Sequence, residues 1–159
     1  MNKSILIIAL LGIFNFHCAL SQDKKKVHKY KIKSQTISVM EDGQIRKLSF
    51  EKYDALGNII EEIDYNKEGA VKKKILTKYN DDNIKSEEEE YDVKGGLIRK
   101  IVYSYNNFGE KTGEVVYDVN GAVIEKNIYT YDKKGLRVEK KTLGEGNKVI
   151  TVKSFSYDY

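Results

Sequence analysis

The sequence contains no proline and no tryptophan, and among its 159 residues it has one cysteine, Cys18, and two histidines, His17 and His28. A single cysteine cannot build a disulfide framework, and so few Cys and His side chains exclude a typical zinc site and most histidine-based catalysis. The 28 basic and 24 acidic side chains give a formal net charge of +4, which is too even to indicate a nucleic-acid partner. Tyrosine and glycine are abundant, with 12 residues each.

The segment 1–21 has the pattern of a secretory signal peptide. Lys3 supplies the positive start, residues 5–14 form an apolar run, and Ala19 and Ser21 are small residues at the −3 and −1 positions of a cut before Gln22. This run is too short to span a bilayer as a helix, which takes roughly 20 residues. We therefore predict an exported protein, in the periplasm, at the outer surface or outside the cell, without a transmembrane span.

Cys18 has two interpretations. As a lipoprotein cysteine it would become the lipidated first residue, but that signal requires a small residue just before it, and His17 stands there, preceded by Phe16. We interpret Cys18 as a residue inside the cleaved signal. The mature chain would then contain no cysteine and would be insensitive to the oxidising conditions outside the cytoplasm.

Tyrosines recur along the chain with a period of 26, in two series that interleave at alternating steps of 12 and 14. Each is followed by Asp or Asn and, three residues after that, usually by Gly, so the unit is Tyr-Asp/Asn-x-x-Gly. The two series are Tyr53, Tyr79, Tyr105, Tyr131 and Tyr157, and Tyr65, Tyr91 and Tyr117.

An internal repeat of this kind indicates one structural unit per period. We divide the chain into a signal peptide (1–21), an N-terminal segment with a degenerate first half-repeat (22–38), and a repeat domain (39–159). Five repeats of this length start at Val27, and extrapolation places Lys31 and Gly43 on the glycine column.

The repeated unit has the signature of a tight hairpin turn. The Asp or Asn side chain accepts a backbone N–H two residues on, and the Gly adopts positive φ and forms a bulge that lets two strands leave antiparallel. Asn83 and Asn147 replace Gly, and asparagine tolerates positive φ best after glycine. The predicted turn residues are Asp54, Gly57, Gly69, Asp92, Gly95, Gly109, Asp118, Gly121, Asp132 and Gly135.

The segments between turns are rich in Ile, Val, Thr and Tyr, and no window shows a convincing helical period. We predict an all-β fold: an antiparallel meander with about two strands per repeat, in one twisted or curled sheet, or a partly closed one. Because both steps are even, every repeat is expected to present its side chains to the same faces.

Aromatic residues should form a row along each edge of this sheet, because residues two apart in a strand share a face. One interpretation is that the rings pack over the turns and hold the register. The other is that they form a contact strip for a sugar polymer or a partner strand. The candidate contact residues are Tyr103, Tyr105, Tyr129, Tyr131 and Tyr157.

Opposite charges flank the turn that starts at Asn80. A lysine run, 72–74, precedes it and a glutamate run, 87–90, follows it, so a hairpin would bring the two runs opposite each other within a residue or two. Such a pairing favours a solvated face that sets the register, and an interaction patch is the alternative.

The Tyr-Asp-x-x-Gly units at 53–57, 91–95, 117–121 and 131–135 resemble the YD repeats of the RHS-repeat family, over roughly residues 39–158. The signal peptide and the abundance of Lys, Asn, Ile and Tyr are similar to small secreted proteins of Bacteroidota. The resemblance implies a secreted or surface-exposed protein with a curled β-sheet. It implies no catalytic residue, and the short chain departs from the large members that wrap a sheet around a toxin domain.

We predict no catalytic, cofactor-binding or metal-binding residue and no cofactor, because no Ser, Thr or acidic side chain stands in a constellation that would activate it. The leading hypothesis is a non-catalytic binding module for an envelope protein or polysaccharide, without a nucleic-acid partner. The alternatives are a structural spacer or assembly subunit, and a carrier that shelters an apolar ligand inside a rolled sheet. The carrier's lining would be Ile84, Val115, Val123 and Ile124.

Overall fold

The structure is a computed structural model that describes residues 23–158. The predicted signal peptide, the cut before Gln22 and Cys18 lie outside the described residues. Ten strands form one antiparallel sheet in sequence order, so the predicted all-β meander is confirmed. The elements are α1 (Lys24–Tyr30), β1 (Ser34–Glu41), β2 (Gln44–Tyr53), β3 (Ile59–Tyr65), β4 (Val71–Tyr79), β5 (Lys85–Tyr91), β6 (Leu97–Tyr105), β7 (Lys111–Tyr117), β8 (Val123–Tyr131), β9 (Arg137–Leu143) and β10 (Val149–Ser154).

The sheet is open, because β1 and β10 are the two ends of the strand order and do not pair with each other. The partial closure that the sequence left open is therefore absent from residues 23–158. The turns lie along two edges. The first edge holds the turns that follow Tyr53, Tyr79, Tyr105 and Tyr131, and the second edge holds those between them.

The turns have the predicted local geometry. In the turn after Tyr117, the Asp118 carboxylate accepts the N–H of Asn120 at 2.9 Å, as predicted, and also that of Ala122 at 2.8 Å. The N–H of Gly121 donates to the Asp118 carbonyl at 3.1 Å. The six predicted turn glycines all have positive φ, with values between 76° and 81° at Gly95, Gly109, Gly121 and Gly135. The asparagines that replace glycine have φ of 62° at Asn83 and 61° at Asn147.

A register shift recurs opposite the tyrosine that precedes each turn. Tyr53 pairs with Ile59 but Lys52 pairs with Glu61, so Ile60 is an extra, bulged residue. The same shift occurs next to Tyr65, Tyr79, Tyr91, Tyr105, Tyr117 and Tyr131. A bulge puts two residues of one strand opposite one residue of its partner and reverses the alternation of faces beyond it.

Because of these bulges, the even steps of 12 and 14 do not by themselves keep both tyrosine series on one face of the sheet. Side chains return to the same face once per repeat, but the reversal at each hairpin puts the two tyrosine series on opposite faces. We call the face that carries Tyr53 and Tyr79 the front face, and the face that carries Tyr65 and Tyr91 the back face. Two ion pairs reflect the bulge directly, because they join strand residues three apart: Lys85 to Glu88 and Lys111 to Glu114.

The buried side chains of the sheet lie on the front face. They are Glu51, Tyr53, Thr77, Val116, Asn127 and Tyr129. The strands of residues 23–158 form a single sheet, and the buried front-face side chains are crowded beside one another on it. The front face is therefore the nearest equivalent of a core.

A short helix, α1, was not predicted. It has seven residues, too few for a helical period to show, and capping and packing stabilise it instead. The Asp23 carboxylate accepts the N–H of Lys25 at 2.8 Å at one end, and Lys31 ends the helix with φ of 52°. Lys31 thus keeps the positive φ of the glycine column, although it caps a helix there rather than forming a hairpin turn. Val27, at 1% exposed, is the apolar anchor.

The glutamate run is paired differently from the expected pattern. Lys74 lies opposite Tyr91, one residue beyond the run, and makes its ion pair with Glu61 of β3 at 2.8 Å. Glu87 is paired instead with Lys78 and Lys100, at 2.6 Å each. Burial opposes ionisation of Glu87, but the hydrogen bonds from these two lysines outweigh it and lower its pKa. Glu87 is thus neutralised by cations of its two neighbouring strands.

Candidate functional site

The first edge carries the aromatic residues that the sequence proposes as contacts. Three tyrosines, at the ends of β4 and β8 and just beyond β10, reach back over the preceding hairpin and donate their hydroxyls to backbone carbonyls. Tyr79 donates to Ile59 at 3.0 Å and Tyr131 donates to Lys111 at 2.8 Å. Tyr157 donates in the same way to Arg137 at 2.8 Å. These rings therefore link successive repeats and hold the register.

Tyrosines two residues earlier bond to front-face carboxylates. Tyr103 donates its hydroxyl to Glu88, and Tyr129 donates to Glu114 at 2.9 Å. Burial first, and then the hydrogen bond to the neighbouring carboxylate, raise the pKa of both phenols well above the ordinary value. Burial likewise raises the pKa of Tyr79 to about 12. Phenols held in the protonated form are poor nucleophiles and poor general bases.

Cations cover the tyrosine rings. The Lys111 ammonium lies 5.4 Å from the centre of the Tyr103 ring and 5.1 Å from that of Tyr129. The Arg137 guanidinium lies 4.6 Å from the centre of the Tyr129 ring. These distances are within the range of cation–π attraction. The Tyr129 ring is therefore already in contact with cations of the protein itself.

The five candidate contact residues thus differ in what they offer to a ligand. Tyr129 is 7% exposed and Tyr157 is 43% exposed. Tyr103, Tyr105 and Tyr131 are half-buried, with part of each ring at the surface. These three rings present accessible area to open grooves, whereas Tyr129 presents almost none.

Two equivalent grooves lie on the first edge, each between successive turns. The walls of one are Asn80, Asp82, Ile84, Tyr103, Tyr105 and the turn 106–109. The walls of the other are the turn residues Asn106 and Phe108, Glu110, Thr112, Tyr129, Tyr131 and the turn 132–135. Both combine aromatic edges with planar amide and carboxylate groups.

Phe108 lies at the tip of the turn between the two grooves and contributes to both. It is 88% exposed, more than any other large apolar side chain of the described residues. The sequence analysis did not single it out. The signal was present, because the third position is Leu, Glu, Asp, Lys, Asn, Lys and Gly in the other seven four-residue turns and is aromatic only here.

The lining proposed for a carrier does not enclose a space. Ile84 lies in the wall of a first-edge groove, whereas Val115 lies on the back face. Val123 pairs with Tyr117 at the second edge, and Ile124 beside it is 47% exposed. In the open sheet these four residues do not share one cavity, so the geometry gives the rolled-sheet carrier no support.

Within residues 23–158, no group of three or more His, Cys, Asp or Glu side chains is placed to hold a metal ion. None of the helices described in this range has the length and apolar character needed to cross a membrane. The described histidine, His28, is engaged by the Ala55 carbonyl, 2.8 Å from its Nδ1.

The best-connected carboxylate of the front face is Glu114. It accepts hydrogen bonds from Lys111, from Tyr129 at 2.9 Å and from Asn127 at 3.2 Å. Burial opposes its ionisation, but the bonds from Lys111 and Tyr129 outweigh burial and lower its pKa below the ordinary value of 4.5. Asn127, at 4% exposed, extends the network by accepting the Thr142 hydroxyl at 2.8 Å.

This network predicts acid sensitivity. A carboxylate whose pKa is lower in the folded state stabilises the fold above its unfolded pKa, and that stability is lost as the pH falls through the folded value. We expect the unfolding free energy to drop below about pH 4.5, and Glu114→Gln to flatten that drop while lowering stability at pH 7. The control, Glu68→Gln, removes a carboxylate from an exposed turn. Urea unfolding between pH 2 and pH 7 measures both, and identical acid limbs for Glu114→Gln and the wild type would contradict the prediction.

Comparisons with known proteins identify no family. No protein-family model matches the chain, and no curated protein matches it significantly. A solved protein of unknown function from Bacteroides fragilis aligns over 80% of this chain and 96% of its own, at 16% identity and a TM-score of 0.43. TarM aligns over 82% of this chain and 22% of its own, at 18% identity and a TM-score of 0.31. S. aureus TarM in complex with fondaparinux, α-GlcNAc-glycerol and UDP gives the same score. These likenesses are too weak to carry a functional argument.

Proposed function

We propose that this protein is a non-catalytic, exported binding module whose first edge contacts an envelope polysaccharide. The observation that carries the proposal is the position of Phe108, 88% exposed between two equivalent grooves. Single exposed apolar residues are common, but one flanked on both sides by aromatic and amide-lined grooves belongs to a continuous contact surface.

The repeat of the grooves favours a polymer as the ligand. Equivalent strands in an antiparallel sheet are two strand spacings apart, which is roughly 10 Å. The two grooves therefore present the same set of groups, Tyr, Asn and carboxylate, at two positions along one line. A ligand with a repeating unit can occupy both, and the second contact then strengthens the first by raising the local concentration.

The chemistry of the described residues supports binding rather than catalysis. The hydroxyls of Tyr103 and Tyr129 are bonded to Glu88 and Glu114, and the raised pKa of each phenol keeps it protonated. Export, and membership of the YD-repeat family that the motif resembles, belong to the same proposal. Both agree with a protein that acts on the cell envelope.

Truncating Phe108 tests the proposal. Aromatic anchors at the centre of a contact surface contribute about 2 kcal/mol or more, so Phe108→Ala should weaken binding to a responding glycan at least tenfold. The side chain is almost fully exposed, so folding should be unchanged. The matched control is Val119→Ala, which removes an exposed apolar side chain, 56% exposed, from a second-edge turn.

A glycan array with the purified protein identifies the responding polymer, and titration with that polymer measures the affinities. Tyr105→Ala and Tyr131→Ala, checked for folding by circular dichroism, should also lose the signal. Equal losses for Phe108→Ala and Val119→Ala would place binding elsewhere. An array without any response, together with a protein captured from native envelope, would favour the spacer or assembly role.

A further inference from the structure

The positive charge of the described chain is concentrated in its first ten or so residues. Residues 24–33 contain six lysines and no acidic side chain. Residues 34–158 contain 21 basic and 23 acidic side chains, so this part of the chain has a formal net charge of −2. The lysines of this segment are exposed, and the ion pairs of the sheet involve other cations. Such a concentration of one charge indicates an anionic ligand.

The segment is packed against the turn between β2 and β3 rather than extending freely into solvent. Val27 is buried, and His28 Nδ1 lies 2.8 Å from the Ala55 carbonyl oxygen. Close packing continues at Gly57, where a Cβ atom would lie 2.7 Å from the Lys24 carbonyl oxygen. The lysines are therefore presented in a defined arrangement by a docked helix.

An open groove of about 630 Å³ lies between this segment and the end of β2. Its walls are mainly apolar and come from Val27, Ile32, Tyr53 and Ala55, and its rim is basic. Asp54 also lies at the groove, but its carboxylate accepts the N–H of Leu56 and of Asn58 at 2.8 Å and so is committed to the turn. The rim lysines are Lys29, Lys31, Lys33 and Lys52.

We propose that this lysine-rimmed groove binds a fatty acid, with the acyl chain on the apolar walls and the carboxylate among the lysines. Apolar walls alone would suit any hydrophobic group, and lysines alone would suit any anion. Their combination at one opening fits a molecule that has both parts. This groove is separate from the two first-edge grooves beside Phe108. The fatty-acid proposal therefore does not depend on the proposed polysaccharide binding.

Laurate, used below its micelle concentration, is the probe. The triple variant Lys29→Gln, Lys31→Gln, Lys33→Gln should weaken laurate binding about tenfold or more, because the effects of three lysines multiply and each contributes up to roughly fivefold near an anionic group. The matched control removes three lysines from exposed turns of the sheet, Lys94→Gln, Lys133→Gln and Lys148→Gln, and should leave the affinity unchanged.

The length of the acyl chain tests the apolar walls separately from the lysines, because attraction between charges alone would not make the affinity depend on that length. Each buried CH₂ group should raise the affinity roughly fourfold from hexanoate towards laurate, until the groove is filled. Calorimetric titration of the purified protein, with its N-terminus established by mass spectrometry, measures both series. Equal affinities for hexanoate and laurate would overturn the proposal, and so would equal affinities of the two triple variants.

Two other outcomes also overturn it. Binding to phosphatidylglycerol vesicles without binding of monomeric laurate would show that the lysines form a membrane-surface patch and that the groove is unused. Laurate binding that appears only after residues 1–22 are removed would show that the apolar run of the chain itself occupies the groove. Binding of laurate by the purified protein, sensitive to both chain length and the rim lysines, is the result we expect.

Discussion

Gly57→Asn should lower the unfolding free energy by about 2 kcal/mol or more, whereas Gly121→Asn should lower it by less than about 1 kcal/mol. Both glycines have φ of 80°, so the cost of placing a side chain in this conformation is the same at the two positions. They differ in their surroundings. Nothing lies within 4 Å of a Cβ at Gly121, but at Gly57 a Cβ would lie 2.7 Å from the Lys24 carbonyl oxygen and 3.2 Å from the His28 nitrogen.

Because both contacts at Gly57 are backbone atoms, the clash can be relieved only by moving α1. That movement would expose Val27, whose burial contributes roughly 1.5–3 kcal/mol. Denaturant midpoints of the two variants measure the difference. Limited digestion with trypsin gives a second readout, because a released segment would be cut after its lysines. Equal losses at the two positions would mean that the helix does not dock on this turn.

The turn geometry itself is tested at Gly121, where the surroundings are open. Valine should destabilise more than asparagine there, because a β-branched side chain is strained at positive φ whereas asparagine hydrogen-bonds locally. In a sheet where each strand contacts only its neighbours, the damage should spread mainly to β7 and β8. Equal losses for asparagine and valine would contradict the turn assignment.

Tyr129→Ala should destabilise the protein by about 3 kcal/mol or more, because removing a buried aromatic side chain typically costs about 3–5 kcal/mol. Tyr129 is 7% exposed, and its hydroxyl donates a hydrogen bond to Glu114. The centre of its ring lies 4.6 Å from the Arg137 guanidinium. Few other strand side chains are as buried, so the sheet has little other apolar burial to offset the loss.

The matched control for Tyr129 is Phe155→Ala, one full repeat further on and at the same position of the repeat. Phe155 is 39% exposed beside the last strand, so its loss should cost about 1 kcal/mol or less. Tyr129→Phe should fall between the two, at about 1 kcal/mol, because it removes only the hydroxyl that donates to Glu114. Similar midpoints for Tyr129→Ala and Phe155→Ala would show that the front face contributes no more than the exposed strand end.

The turns and the strand order were predictable because their causes are local. The bonds that define a turn, such as those from Asp118 to Asn120, Gly121 and Ala122, join residues at most four positions apart. The requirement for positive φ at the fourth position follows from that geometry alone, which is why Asn83 and Asn147 were correctly identified as substitutes for glycine. Short turns also leave neighbouring strands no partner other than each other.

The sites were less predictable because they depend on contacts between strands. Nothing in the repeat period predicts that Tyr129 is buried under Arg137 and Lys111 while Phe155, at the same position one repeat further on, is 39% exposed near the end of the sheet. Phe108 occupies the third position of a four-residue turn, as seven other residues of the chain do, and only the two flanking grooves set its surroundings apart. The lysines of residues 24–33 are a plain charge run until the helix places them around an apolar groove.

By itself, the sequence determined the all-β class, the antiparallel meander and the conformation of the turns that carry the repeated unit, because a few adjacent residues specify a hairpin. The tertiary structure alone decided which face each tyrosine series occupies, since the bulges opposite Tyr53 and its equivalents reverse the alternation at each hairpin from β2 to β9. It also decided that the sheet stays open and that α1 docks on the turn between β2 and β3. These features depend on register and packing between residues far apart in the chain, whose free energies a local pattern does not contain.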